Sequence, residues 1–271
     1  MAKLEITKGH SRNGIPYICF GHRPRKLLLF SGGPGNEIPS GFMLQMMVSN
    51  YKCFSNHYSV YILTRKFNQP NGYSTRNMSD DYATMVRDEL GGPVDILGIS
   101  YGGLIAQHFA ADFPDLVRRL VIGVAAYRVS DEGKELDSLV AKLQSQGSWG
   151  KAYAKEMSGI YRRGFKKYLF QYLMLLFGIF KRGTPAYPSD FLIEAEAEVN
   201  HNSKQQLAKI KAPTLVIGGD QDFFFPAELY RETAVGISNA KLVLYKGLGH
   251  DAIMKRQLIG YILAFLTADI V

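Results

Sequence analysis

The sequence predicts an α/β protein: a mostly parallel central sheet flanked by helices, interrupted once by an all-helical insertion. Three observations carry this. Short, nearly continuous apolar runs alternate with stretches of helical periodicity. The alternation stops between residues 127 and 205, where no strand pattern is found. The chain has 271 residues, 46% hydrophobic and 21% charged, enough to build a large core without disulfide or metal.

The expected strands are Pro16–Gly21, Leu27–Ser31, Ser59–Thr64, Val94–Ile99, Leu120–Val124, Thr214–Gly218 and Lys241–Tyr245. From Leu27 onward they read as apolar throughout, as strands covered on both faces do. The helix expected over Ser79–Leu90 spaces Tyr82, Met85, Val86 and Leu90 on one face. Tyr101–Phe113 follows a strand directly and stops before Pro114. Pro226–Val235 opens on a proline, whose missing N–H costs nothing there, and Ile253–Leu266 closes the pattern. Helices are expected over Asp131–Gln146, Gly150–Arg163, Phe165–Phe180 and Ser189–Ala208. Residues 1–126 and 206–271 would then form the core, and 127–205 a helical cap, or lid.

The net charge is +8, and it is uneven. Residues 151–182 hold eight basic side chains (Lys151, Lys155, Arg162, Arg163, Lys166, Lys167, Lys181, Arg182) against the single acid Glu156. Without a nucleic-acid-binding motif this reads as a solvated helix face, with membrane-surface docking as the alternative and nucleic acid excluded. Cys19 and Cys53 have neither a CxxC partner nor a histidine cluster and are expected as buried free thiols. The first ten residues, MAKLEITKGH, lack a signal-peptide core, so a cytoplasmic protein is expected. The most apolar stretch, Tyr168–Phe180, is too short to span a bilayer.

Gly98-Ile99-Ser100-Tyr101-Gly102-Gly103 sits between a strand and a helix. In that context G-x-S-x-G is a nucleophile elbow: a serine on a sharp turn, with glycine two positions away on each side to relieve crowding. Serine needs a base. His250, in Gly247-Leu248-Gly249-His250-Asp251, follows the last strand and can reach the same sheet edge. His108 is expected to pack or face solvent, and His201 to be a surface side chain of the insertion; His10, His22 and His57 lie in early loops without a motif. The base needs an orienting carboxylate, and both Asp220 and Asp222 follow a strand; the spacing to Pro226 favours Asp222. Ser31-Gly32-Gly33-Pro34-Gly35 ends another strand, and its glycines can turn backbone N–H groups toward a developing oxyanion. The N–H of Tyr101 would be the second donor.

The order Ser100, Asp222, His250, with SGGPG, GISYGG, HFAADFPDLVRRLV, GGDQDFFFP and KGLGHDAI, resembles the α/β-hydrolase family along nearly the whole chain. The resemblance implies an α/β-hydrolase fold and assigns one oxyanion N–H to Gly33. GGPG is similar to the prolyl-aminopeptidase branch, although Ser31 stands where that branch usually has His and Tyr101 where it usually has Trp. That branch reads the substrate's amino group with cap carboxylates, which the run Glu194-Ala195-Glu196-Ala197-Glu198 could supply; a solvated acidic face is the simpler expectation.

The expected activity is hydrolysis of carboxylic esters with small to medium apolar acyl groups, through a Ser-His-Asp triad and an acyl-enzyme, without metal or organic cofactor. Substrate contacts are expected from Phe223 and Phe224 beside the acid and from Tyr168 and Tyr172 in the apolar run. The alternatives are a prolyl-aminopeptidase-like amidase and a ligand receptor of the same fold with slow hydrolysis. In each case the partner is a small molecule.

Overall fold

The structure is a computed structural model. It describes residues 4–33, 35–162, 164–180 and 183–268, with the side chains of Lys166, Ile179 and Phe180 left out. Pro34 of the glycine-rich turn, and Arg163, Lys181 and Arg182 of the basic stretch, therefore lie outside the described residues.

An eight-stranded sheet runs in the order β1-β2-β4-β3-β5-β6-β7-β8. The strands are β1 Ile6–His10, β2 Pro16–Phe20, β3 Lys26–Phe30, β4 Ser59–Leu63, β5 Val94–Ile99, β6 Val117–Gly123, β7 Thr214–Gly219 and β8 Ala240–Tyr245. β1 and β2 are antiparallel to their neighbours, and every pairing from β4 to β8 is parallel. The expected α/β-hydrolase architecture is thus the observed one. β1 was not anticipated: it is an edge strand, ITKGH, with no buried residue and no apolar run to announce it.

Successive residues of one strand point to opposite faces, so each apolar strand feeds two cores. Leu28, Phe30, Ile96 and Ile122 pack under α2 (Thr75–Met85), α3 (Tyr101–Asp112) and α8 (Ala227–Gly236). Leu27, Leu29, Leu97 and Val121 pack under α1 (Gly41–Tyr51) and α9 (Arg256–Thr267). The sequence reading lacked α1 and began α2 four residues late. Ser74 sets the true start by accepting from the Asn77 amide while the Asn77 side chain reaches back to the Ser74 amide. Cys19 and Cys53 are free but only partly buried, which corrects the expectation of buried thiols.

Between β6 and β7 lie α4 (Asp131–Ser145), α5 (Trp149–Ile160), α6 (Phe165–Phe180) and α7 (Pro188–Val199). The helix expected over Ser189–Ala208 ends at Val199, and a separate short turn covers Lys204–Lys209. His201 is 3% exposed, not a surface residue: its Nδ1 lies 2.8 Å from the Thr75 hydroxyl and its ring 5.0 Å from that of His108. Burial holds both imidazoles neutral, His108 with a pKa lowered to about 4.

Two carboxylates of α7 fasten this helical segment to the sheet. Glu194 accepts from Arg65 Nη2 at 2.8 Å, Arg65 Nε at 3.2 Å, Gln69 Nε2 at 2.9 Å and the Gly35 amide at 2.7 Å. One turn earlier, Asp190 accepts from Asn36 Nδ2 and the amides of Asn68 and Gln69 at 2.6–2.9 Å. The expected solvated acidic face is therefore corrected: Glu194 and Glu198 are buried, and only Glu196 of that run faces water. Among the described residues no helix is long and apolar enough to cross a membrane.

Candidate active site

β5, β7 and β8 run parallel, so the loops leaving them meet at one sheet edge. Ser100 follows β5 with φ +52° and ψ −119°, a conformation that L residues avoid and that functional turns retain. The neighbouring glycines are required sterically. A Cβ on Gly98 would lie 2.6 Å from Ala106 Cβ, and one on Gly102 only 2.0 Å from the Phe30 carbonyl oxygen. The turn is held by the Ser100 amide donating to Gly123 O at 2.9 Å.

His250 lies beyond β8, its Nε2 3.0 Å from Ser100 Oγ. Its Nδ1 is 2.9 Å from Asp222 Oδ2 and 3.2 Å from Oδ1. Asp222 also accepts from the amides of Phe224 (3.0 Å) and Phe225 (3.2 Å) and from the Tyr230 hydroxyl (2.9 Å). This carboxylate is an acceptor on every side, which directs the imidazole proton to Nδ1 and leaves Nε2 to accept from the serine hydroxyl. Burial disfavours the imidazolium, but Asp222, followed by Asp137 and Glu156, outweighs it, and the His250 pKa is raised. Asp220 instead accepts from the Gly247 amide at 2.7 Å and ties the two loops together. Of the two aspartates, Asp222 is the one the structure brings to His250.

β3 pairs with β5, which sets the loop 31–35 beside Ser100. A Cβ on Gly32 would meet Ser100 Cβ at 3.2 Å, and Gly33 has φ +70°. Arg65 fixes this loop: it is buried and donates to the carbonyls of Ser31 (3.1 Å), Gly33 (2.7 Å) and Gly35. Tyr101 opens α3, where a backbone N–H has no intrahelical acceptor and sits at the positive helix end.

A cavity of about 160 Å³ joins Ser100, His250, Gly33 and Tyr101. Phe224 lines it, 4.9 Å from the His250 ring. The other expected contacts do not reach it. Phe223 turns away under the Arg162 guanidinium at 4.3 Å. Tyr168 and Tyr172 are 68% and 61% exposed on α6, because that helix presents its apolar side to water. Three carboxyl groups from three helices also line the cavity: Asp137 (α4), Glu156 (α5) and Glu198 (α7). Burial, with repulsion from Glu198 and Glu156, raises the pKa of Asp137; burial, with repulsion from Glu194 and Glu156 and against the pull of Arg65, raises that of Glu198 to about 8; and burial raises that of Glu156. Sequence reasoning missed Asp137 and Glu156, since nothing local distinguishes them from solvated helix acids. A second cavity, about 330 Å³, shares Gly32, Gly33 and Glu156 with the first and continues past Trp149 and Phe191.

Known proteins are similar to this chain. A pimeloyl-(acyl-carrier protein) methyl ester esterase from Neisseria meningitidis serogroup A is 28% identical over 183 residues, covering 62% of this chain and 54% of that one. The chain thus spans about half the length of that curated relative. A 2-hydroxy-6-oxononadienedioate/2-hydroxy-6-oxononatrienedioate hydrolase from a Pseudomonas species is 24% identical, covering 92% of this chain and 89% of that one. Among solved structures, a bromoperoxidase from Bacillus anthracis superposes with a TM-score of 0.75 at 21% identity, covering 97% of this chain and all of that one (100%). The model of the alpha/beta hydrolase family matches residues 27–257. The parallel sheet, the serine turn at the end of β5 and this match together lead to one conclusion: the chain belongs to the α/β hydrolase family.

Proposed function

We propose that the protein is a serine hydrolase of carboxylic esters. The carrying observation is the hydrogen-bonded line from Ser100 through His250 to Asp222, at 3.0 and 2.9 Å, opening into a cavity lined by glycine backbone, apolar side chains and three carboxyl groups. In this reading His250 Nε2 takes the Ser100 proton as Oγ attacks the ester carbonyl. The N–H groups of Gly33 and Tyr101 hold the oxyanion, and Asp222 stabilises the imidazolium. His250 then protonates the leaving alcohol, and water repeats the sequence on the acyl-enzyme. Residues 127–205 act as the cap that closes the pocket. The name of the Neisseria relative, a methyl ester esterase, agrees with an ester substrate. The cavity of about 160 Å³ beside Ser100, with the adjoining one of about 330 Å³, agrees with small to medium acyl groups.

A second reading, cleavage of aminoacyl esters or amides, is supported by Asp137, Glu156 and Glu198 lining the same cavity as Ser100. A protonated substrate amine would relieve their mutual repulsion.

The test is hydrolysis of p-nitrophenyl esters from acetate to palmitate, beside L-aminoacyl p-nitroanilides, by wild type and Ser100→Ala. Ester turnover with a short- to medium-chain optimum, lost in the variant, supports the first reading. Anilide turnover that exceeds ester turnover and falls in Glu198→Gln supports the second. Equal turnover in wild type and Ser100→Ala, or none on any substrate, would overturn both.

A further inference from the structure

We infer that the outer face of α6 is a docking surface for an anionic lipid bilayer. α6 packs on α5 along one side. Phe170 stacks on Tyr161 at 4.6 Å, Gln171 donates to Ala154 O at 3.3 Å, and Gly178 approaches Gly150 so closely that a Cβ on it would lie 2.1 Å from the Gly150 Cα. These positions share one side of a 3.6-residue helix. The remaining surface holds large apolar side chains in the open: Phe165 is 76% exposed, Tyr168 68%, Tyr172 61%, Leu175 45%, Leu173 42% and Leu176 39%. Scattered exposed apolar residues need no explanation, but a contiguous face along a 16-residue helix marks an interaction site.

Charge selects the partner. No Asp or Glu occurs between Glu156 and Asp190 in the sequence. Among the described residues Lys167 stands in the first turn of the helix, while Arg162 just before it is turned over Phe223. Lys151 and Lys155 stand exposed on α5, each next to a residue, Gly150 or Ala154, that α6 touches. A broad apolar face whose most exposed members include two tyrosines, with lysines nearby, matches a helix lying in the plane of a lipid interface, where the cations meet anionic phosphates. An acidic protein would satisfy the cations but not so broad an apolar face, and a second copy would bring the same positive charge against itself. The inference is independent of the reaction. It does place the lipid next to α5, which carries Glu156 and Ile160 into the cavity beside Ser100.

The experiment is flotation of the full chain with vesicles of pure phosphatidylcholine, and with vesicles of equal parts phosphatidylcholine and phosphatidylglycerol, at low and high salt. Leu173→Glu/Leu176→Glu is run in parallel, its folding checked by circular dichroism melting. The expected result is flotation with the anionic vesicles only, weakened by salt, and at least about tenfold weaker partition of the folded variant. The inference is overturned if wild type stays in solution with both vesicles. It is also overturned if the folded variant floats as well as wild type, or if wild type is a dimer by size-exclusion chromatography that the variant disrupts without any vesicle binding.

Discussion

The two walls of the cavity handle buried carboxylate chemistry in opposite ways. On the sheet side, Asp222 faces His250, two backbone amides and the Tyr230 hydroxyl, so its charge is compensated by donors fixed in place. On the helical side, Asp137, Glu156 and Glu198 converge on the same space from three helices, and their pKa values are raised. A buried carboxylate surrounded by donors holds a fixed charge; buried carboxyls facing each other hold a proton or wait for a cation. The difference teaches where the chemistry is preorganised. The sheet side holds its carboxylate among fixed donors, while the carboxyls of the helical side respond to pH.

The largest expected effect tests the sheet wall. In Asp222→Asn the amide no longer enforces the Nδ1–H tautomer, and kcat on a p-nitrophenyl ester should fall by about 10⁴-fold with KM little changed. A loss of tenfold or less would mean that Asp222 does not orient the base.

The joint between the walls comes next. Arg65→Met leaves Glu194 buried without its cation, and unfolding free energy in denaturant should fall by about 3–5 kcal/mol. Because Arg65 also holds the carbonyls of Gly33 and Gly35, kcat should fall while KM changes less. Arg65→Met combined with Glu194→Leu should recover part of the stability but not of kcat. Recovery of both would break the assignment of Arg65 to holding the loop beside Ser100.

The helical wall is tested by pH. The Glu198 pKa is raised from 4.5 to about 8 in the folded protein, so the folded state binds this proton more tightly than the unfolded chain does. The stability it contributes is full below about pH 4.5, declines as pH rises, and is gone above about pH 8. The slope is at most about 1.4 kcal/mol per pH unit. Glu198→Gln should flatten stability against pH across that window, read from denaturant melts at several pH values. An unchanged profile would show that another group of the cluster carries the proton.

The smallest effect returns to the sheet wall. Tyr230→Phe removes one donor to Asp222, and its other three donors remain. Stability should fall by about 1.5–3 kcal/mol, with a modest loss of kcat. A loss as large as that of Asp222→Asn would mean that Tyr230 is indispensable to the carboxylate's placement.

Legibility in the sequence followed the range of the interactions concerned. Gly98, Ser100 and Gly102 form a local steric requirement within five residues, and the strand before them and helix after them gave the turn its meaning. Asp222 and His250 were legible because strand ends in a parallel sheet share an edge. The errors fell where surroundings, not pattern, decide. Tyr168 and Tyr172 sit in the most apolar run of the chain, yet that run lies outside, and the expectation of pocket contacts from them was wrong. Glu194 read as a solvated acid because its partner, Arg65, lies 129 residues away.

By itself the sequence determined the alternating strands and helices, the interruption at 127–205 and the identities of the groups at the sheet edge. These follow from hydrophobic periodicity and backbone sterics, which act over a few residues. Tertiary structure decided which acids are buried together, which arginine anchors the loop beside Ser100, and which side of α6 meets water. Those outcomes depend on desolvation, and whether a side chain is desolvated is set by segments far away in the chain that pack against it.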